Sequence, residues 1–249
     1  MGLSVTVKAP PLALALCLAT LAASCTGGLS GAIKSPTPVT ASTVVTADRG
    51  TVIFTDDFSD PASGWATKPT ADFRASFTVS GYVVVASNFV DHEIAAPYLL
   101  PKDQLSVAVR ATESTDSPEG SGFGAACSRG LKEPTISYDF VVQVGGTWDM
   151  FRHDTRPGAA NPDTSLKMGT SPKAPGAASI TVELICATLS DGITTRLVMF
   201  VDNTEVADLT DPVTDLPRLG WVGGFVVRGV GAGPTTVTAT HFQERDLTV

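Results

Sequence analysis

Three aspartates lie close together in the stretch FTDDFSDPASGW. Asp56, Asp57 and Asp60 offer carboxylate oxygens, which are the ligands that Ca²⁺ prefers. The stretch lacks the spacing and the glycine of an EF-hand loop, and its Ser-Asp-Pro sequence is typical of a turn. We therefore interpret it as the turn where a folded domain begins, with Phe58 and Trp65 as apolar anchors. Calcium is the alternative, and no other cofactor is predicted.

The histidines do not form a recognisable catalytic or metal-binding motif. His92, His153 and His241 lack the HExxH arrangement. His92 lies in the sequence Asp-His-Glu, but neighbouring residues on a strand point to opposite faces, so adjacency alone does not build a site. The sequence also contains no G-x-S-x-G elbow and no P-loop. The sequence therefore predicts no catalytic residue and no metal ligand.

Paired carboxylates are the minimum requirement for glycoside hydrolysis, at a separation of about 5–10 Å. No Glu-x-Asp-x-x-Glu pattern occurs in the chain. Asp149, Asp154 and Asp163 surround Trp148 without that spacing. Because folding can bring distant acids together, a carbohydrate-active hydrolase is kept as an alternative function.

Sugar binding without cleavage requires fewer residues than hydrolysis does: an exposed aromatic surface with a few hydrogen-bonding groups is sufficient. The segment GGTWDMFRHD contains Trp148, Asp149 and Arg152. In a strand, Trp148 and Arg152 share one face, and Asp149 lies on the other. We predict Trp148 and Arg152 as ligand-binding residues, with packing of Trp148 in the core as the alternative.

Segments typical of β-strands run through residues 51–249. They are rich in β-branched and aromatic residues and are separated by clusters of Gly, Pro, Asp and Ser. They read GYVVVAS, QLSVAVRAT, TISYDFVVQV, ASITVELICATL, TTRLVMFV, GWVGGFVVRGV and TTVTATHF. In TISYDFVVQV, every second residue from Ile136 to Val144 is apolar or aromatic, which gives the strand one apolar face. Asp202 and Asn203, which tolerate positive φ, predict a hairpin. These features predict one all-β domain of two packed antiparallel sheets.

The N-terminal segment, residues 1–24, has the features of an export signal. Lys8 precedes an apolar run over residues 10–23, which is shorter than the about 20 residues that span a bilayer. The following sequence LAASC resembles the lipobox of bacterial lipoproteins, which implies that Cys25 carries a lipid. An ordinary secretory signal is the alternative. Both interpretations predict an exported protein, and the first places it on the extracytoplasmic face of the cell membrane.

Residues 25–50 are rich in Gly, Ser, Thr and Pro without an apolar period. They predict a flexible tether between the lipidated cysteine and the domain. The formal net charge of the chain is −8. This acidity argues against nucleic acid as a partner, because such binding depends on neutralising phosphates. The predicted partners are the membrane, through the lipid, and a glycan or an envelope protein.

The remaining cysteines predict a disulfide. Cys17 lies within the signal, and Cys25 is the predicted lipidation site, which leaves Cys127 and Cys186. Outside the reducing cytosol two such cysteines favour a disulfide, with two buried free thiols as the alternative.

A series of short phrases resembles the concanavalin-A-like, laminin-G-type jelly-roll domain of bacterial envelope lipoproteins. The phrases are DFSDPASGW at residues 57–65, GYVVV at 81–85, GFGAACSR at 122–129, YDF at 138–140, GTW at 146–148 and the cysteine of ELICATL. The resemblance spans nearly all of residues 51–249. It implies a jelly-roll fold and ligand binding, and the GFGAACSR phrase adds Arg129 to the candidate ligand-binding residues.

Taken together, these features predict a non-enzymatic, membrane-anchored envelope lipoprotein whose β-sandwich binds a glycan or an envelope protein. The alternatives are a carbohydrate-active hydrolase on a concanavalin-like fold and a structural or sensory extracytoplasmic module.

Overall fold

The computed structural model describes residues 50–248, except residues 68, 99, 131–134, 160–161, 214–215 and 217–218. The predicted signal peptide and, apart from Gly50, the predicted tether lie outside the described residues, as does the proposed lipidation site Cys25. Within the described ranges, no helix is long and apolar enough to cross a bilayer.

The described chain forms two antiparallel sheets. The eight-stranded sheet contains β1 (Thr51–Asp56), β2 (Phe73–Thr78), β3 (Gly81–Ala86), β5 (Gln104–Glu113), β10 (Ile180–Thr188), β11 (Thr194–Val201), β12 (Thr204–Pro212) and β14 (Thr235–Asp246). The six-stranded sheet contains β4 (Asp91–Ala95), β6 (Gly122–Arg129), β7 (Ile136–Gln143), β8 (Thr147–Asp154), β9 (Asp163–Thr170) and β13 (Trp221–Arg228). The first has the order β12-β11-β10-β5-β14-β3-β2, with β1 also paired to β14, and the second has the order β4-β13-β6-β7-β8-β9.

The core lies between the two sheets. In β7, Ile136, Tyr138, Phe140 and Val142 belong to the core and are fully buried, as their alternation predicts. Across the core, β5 and β10 of the eight-stranded sheet contact β6 of the six-stranded sheet. The predicted all-β, two-sheet sandwich is confirmed.

The aspartate-rich stretch is the turn that follows β1. Asp56 accepts hydrogen bonds from the Phe58 backbone N–H at 2.6 Å and from Trp65 Nε1 at 2.9 Å. Asp57 and Asp60 each accept a backbone N–H two residues ahead, at 3.0 and 2.8 Å. Phe58 and Trp65 are buried in the core, at 1% and 4% exposure. The three carboxylates therefore stabilise the turn, and the predicted apolar anchors are confirmed.

Two further sequence predictions are present in the structure. Asp202 and Asn203 join β11 to β12 with φ values of 46° and 66°, the left-handed region expected for this hairpin. Cys127 on β6 and Cys186 on β10 form the predicted disulfide. Because these strands belong to different sheets, the disulfide links the two layers through the core.

Candidate functional site

Trp148 lies inside the sandwich. Its side chain is only 3% exposed, and its ring centroid is 5.9 Å from that of Phe140. Its indole Nε1 donates a hydrogen bond to the Thr170 carbonyl at 3.1 Å. The expectation of an exposed aromatic surface at Trp148 is therefore corrected, and the alternative of core packing holds.

Arg152 shares this inward face and joins the two sheets. Its Nη1 lies 3.0 and 2.8 Å from the two carboxylate oxygens of Asp211 on β12. The Tyr138 hydroxyl donates to the same carboxylate at 2.8 Å. The structure thus places Arg152 in a partly buried polar bridge between the layers, and not on a ligand-binding surface.

Arg129 is also engaged within the protein. It is 5% exposed, and its guanidinium carbon lies 5.2 Å from the centroid of the Trp221 ring. It donates hydrogen bonds to the Leu219 carbonyl and, at 3.0 Å, to Thr188 Oγ1. None of the three predicted ligand-binding residues therefore faces an open surface.

The opposite face of β8 points out of the sandwich and lines a pocket. Asp149, Phe151 and His153 alternate with the buried Trp148 and Met150. We call this cavity the outer pocket, and its volume is about 710 Å³. It is lined by Phe89, Val90, Asp91, Glu119, Gly120, Gln143, Asp149, Phe151, His153, Asp163, Arg228, Gly229 and Val230.

Arg228 reaches across the sheet from β13 to β8. Its Nε and Nη2 each lie 2.7 Å from an oxygen of Asp91, and its Nη1 donates to Asp149 at 2.8 Å. Its guanidinium carbon lies 4.8 Å from the centroid of Phe151. Its register partner on β6 is Gly122, which has no side chain to obstruct this path. Arg228 therefore fixes two carboxylates and one aromatic ring in the pocket.

His153 lies between two carboxylates at one end of the pocket. Its Nδ1 is 2.7 Å from Asp163 Oδ1, and its Nε2 is 3.2 Å from Asp139 Oδ2. Contact with Asp139 raises the pKa of His153 to about 9, with Asp163 adding to the effect and burial opposing it. Asp139 is only 2% exposed, and burial raises its pKa.

Glu93 belongs to the same charged group. The surrounding protein desolvates its carboxyl group, and the charge of Asp139 repels it, so its pKa is raised to about 7. Ser128 opposes this shift by donating a hydrogen bond to Glu93. Asp91 and Glu93 lie two residues apart on β4 and therefore share its outer face.

Three side chains of this group could together hold a metal ion. Asp91, Asp139 and His153 each offer one ligand atom, and these atoms lie within 4.8 Å of one another. The residues come from β4, β7 and β8, so their spacing in the sequence gives no metal-binding motif. The available signal was the Asp-x-Glu alternation at residues 91–93, which places two acids on one face of a strand.

Neither a protein-family profile nor a curated protein sequence matches the chain. Solved structures do resemble it. A Bacillus subtilis protein of unknown function with a galectin-like fold is 10% identical with a TM-score of 0.55, covering 80% of this chain and 97% of that one. The fold is a galectin-like jelly roll. This result confirms the predicted concanavalin-A-like class.

Two enzymes share this fold. The κ-carrageenase from Pseudoalteromonas carrageenovora, solved with an oligotetrasaccharide of κ-carrageenan, is 11% identical with a TM-score of 0.53, covering 84% of this chain and 98% of that one. The endo-1,3-β-glucanase from Streptomyces sioyaensis is 13% identical with a TM-score of 0.50, again covering 84% and 98%. At such low identity the likeness extends to the fold alone.

Proposed function

We propose that the protein is an exported, membrane-anchored lipoprotein whose outer pocket binds a carbohydrate without cleaving it. The observation that carries this proposal is the combination of Phe151 and Arg228 in the pocket. Arg228 holds its guanidinium over the ring and fixes Asp91 and Asp149 beside it. An aromatic surface with convergent, preorganised polar groups matches the apolar face and the hydroxyl groups of a sugar.

The size of the pocket also supports a small ligand. Its volume of about 710 Å³ falls within the range of about 300–1,000 Å³ that is typical of ligand sites. Phe89 adds an aromatic side chain that is 79% exposed, and Gln143 adds an amide at the pocket wall. A few sugar units would fit this combination of volume and lining.

The charge of the pocket narrows the class of carbohydrate. Four carboxylates line it, from Asp91, Glu119, Asp149 and Asp163, against the two basic side chains Arg228 and His153. Electrostatic complementarity then favours neutral or amino sugars and disfavours uronic acids and sulfated sugars. Among the solved structures with this fold, the carrageenase complex and the glucanase are carbohydrate enzymes, which supports a carbohydrate ligand in general.

A glycan array with the full-length protein tests the proposal. We expect retention of neutral or amino-sugar oligosaccharides and no retention of uronate or sulfated ones. Phe151→Ala should weaken binding about tenfold, since loss of an aromatic contact costs about 1 kcal/mol or more. Ile193→Ala is the matched control, because Ile193 is 45% exposed and lies in the turn between β10 and β11. Absence of any retained glycan would contradict carbohydrate binding and favour an envelope protein as the partner.

Glu93 favours a second candidate function, a carbohydrate-active hydrolase. Glu93 lies two residues from the pocket residue Asp91 on the same face of β4, and desolvation together with the charge of Asp139 raises its pKa, which is the direction that a general acid needs. Its neighbour Asp139 is 2% exposed, so that carboxylate has little access to a glycosidic bond. Release of reducing ends from a bound glycan, abolished by Glu93→Gln, would replace the binding function with this one.

Export and anchoring rest on the sequence and on the disulfide. The link between Cys127 and Cys186 is typical of proteins outside the reducing cytosol. We expect the wild-type protein to partition with membranes and the Cys25→Ala variant to be released from them, since the lipid would have lost its attachment atom. Cell fractionation with mass spectrometry of the mature N-terminus measures this. Membrane partitioning that survives in Cys25→Ala would contradict the lipid anchor.

A further inference from the structure

Asp91, Asp139 and His153 converge at the wall of the outer pocket. Their potential ligand atoms lie within 4.8 Å of one another, and His153 Nε2 is 3.2 Å from Asp139 Oδ2. Ligands of a tetrahedral ion at about 2.1 Å lie about 3.4 Å apart. The His153–Asp139 pair therefore already has the spacing of two ligands, and Asp91 would need to approach by at most about 1.4 Å.

Two atoms of this group lack hydrogen-bond partners. Asp139 is only 2% exposed, and its Oδ1 accepts no hydrogen bond. His153 Nε2 is also buried, and its contact with Asp139 does not meet hydrogen-bond geometry. Buried polar atoms are rarely left without partners, so Asp139 Oδ1 and His153 Nε2 are candidates to bind an ion.

The surrounding residues hold the other two side chains in place. Asp163 contacts His153 Nδ1 at 2.7 Å, which orients the ring so that Nε2 faces Asp139. Arg228 donates to both oxygens of Asp91 at 2.7 Å, which fixes that carboxylate while leaving a lone pair on each oxygen. Metal-binding histidines and carboxylates are characteristically supported in this way.

We propose that Asp91, Asp139 and His153 bind one divalent transition-metal ion, with zinc as the best match. A set of one imidazole nitrogen and two carboxylate oxygens suits zinc better than calcium or magnesium, which take oxygen ligands. Three protein ligands would leave a fourth position for water or another ligand.

The local charge supports a dication. Once the ion displaces the proton of His153, Asp91, Asp139 and Asp163 carry three negative charges against one positive charge on Arg228. Arg228 is also shared with Asp149, so its single positive charge does not balance these carboxylates. An ion of charge +2 would offset this excess. The inference does not rest on carbohydrate binding, because the ion is held by protein side chains alone.

Isothermal titration of the full-length, metal-free protein with zinc alone, without any glycan, tests the site. We expect one ion per chain with micromolar or tighter affinity. Asp139→Asn and His153→Gln should abolish this binding, and Asp163→Asn should weaken it about 10- to 100-fold through loss of histidine orientation. His92→Gln, on the opposite face of β4, and Asp208→Asn, on β12 of the other sheet, are the matched controls and should bind as the wild type does.

Cobalt absorption and circular dichroism separate the proposal from its competitors. Cobalt in this site should give ligand-field bands without the charge-transfer band of a thiolate, which would instead indicate Cys17 or Cys25, the two cysteines outside the disulfide. Circular dichroism establishes that each variant is folded, and the wild-type cobalt spectrum stands even where one variant fails to fold. Absence of saturable uptake, a thiolate spectrum, unchanged binding in folded His153→Gln, or equal loss in His92→Gln would each overturn the site. A failure of the protein to bind any glycan would not contradict the proposed metal site.

Discussion

Replacing Arg152 by alanine is expected to lower the free energy of unfolding by about 3–5 kcal/mol, because it leaves a buried carboxylate without its counter-charge. Asp211 is 7% exposed and receives its charged hydrogen bonds from Arg152. The Tyr138 hydroxyl would remain as a neutral donor and would compensate only in part. Urea unfolding followed by circular dichroism measures the loss.

The matched control for this variant is Arg196→Ala. Arg196 and Asp208 form an ion pair at 2.6 Å, but their side chains are 44% and 39% exposed. Surface pairs of this kind contribute about 0–1 kcal/mol, so the control should unfold nearly as the wild type does. If the two variants proved equally stable, the structural role of Arg152 would be refuted. Weaker ligand binding in a fully stable Arg152→Ala protein would instead support its predicted role as a ligand-binding residue.

Removal of the disulfide is expected to cost about 4 kcal/mol. Cys127 and Cys186 are separated by 59 residues, and closing a loop of that length restricts the unfolded chain by roughly this amount. The double variant Cys127→Ala, Cys186→Ala should show the loss in urea unfolding, and reductant should have no further effect on it.

Cys25→Ser is the control for this experiment, since the predicted disulfide does not involve Cys25. Its unfolding midpoint should match the wild type and should fall in the presence of reductant as the wild-type midpoint does. A double variant as stable as the wild type would show that the covalent link contributes nothing beyond the packing of the two sheets.

Much of the fold could be predicted from the sequence because most strands are apolar on the face that meets the core. TISYDFVVQV became β7, and the Asp202–Asn203 turn became the predicted hairpin. The segment DHEIA, which forms β4, is not among the predicted strand segments. Its charged residues are typical of a loop when their partners are unknown. In the structure, Asp91 pairs with Arg228 on the adjacent strand β13, and Glu93 accepts a hydrogen bond from Ser128 on β6.

The site could be predicted less well, and GGTWDMFRHD shows the reason. The alternation of a strand correctly places Trp148 and Arg152 on one face of β8 and Asp149 and His153 on the other. It does not show which of the two faces points into the core. That choice depends on Asp211 of the opposite sheet, which pairs with Arg152, and on Asp91 of β4, which joins Asp149 through Arg228. These contacts are made by the tertiary fold and leave no local pattern.

The position of β14 determines when the domain can become complete. This strand, Thr235–Asp246, is the last one in the described chain, yet it pairs with β1, β3 and β5 in the middle of its sheet. Without it, the sheet separates into β12-β11-β10-β5, the β3-β2 hairpin and an unpaired β1. Contacts between such distant parts of a chain form slowly. A chain that is still being synthesised therefore lacks the strand that unites these pieces, and they cannot join into one sheet until residues Thr235–Asp246 are available.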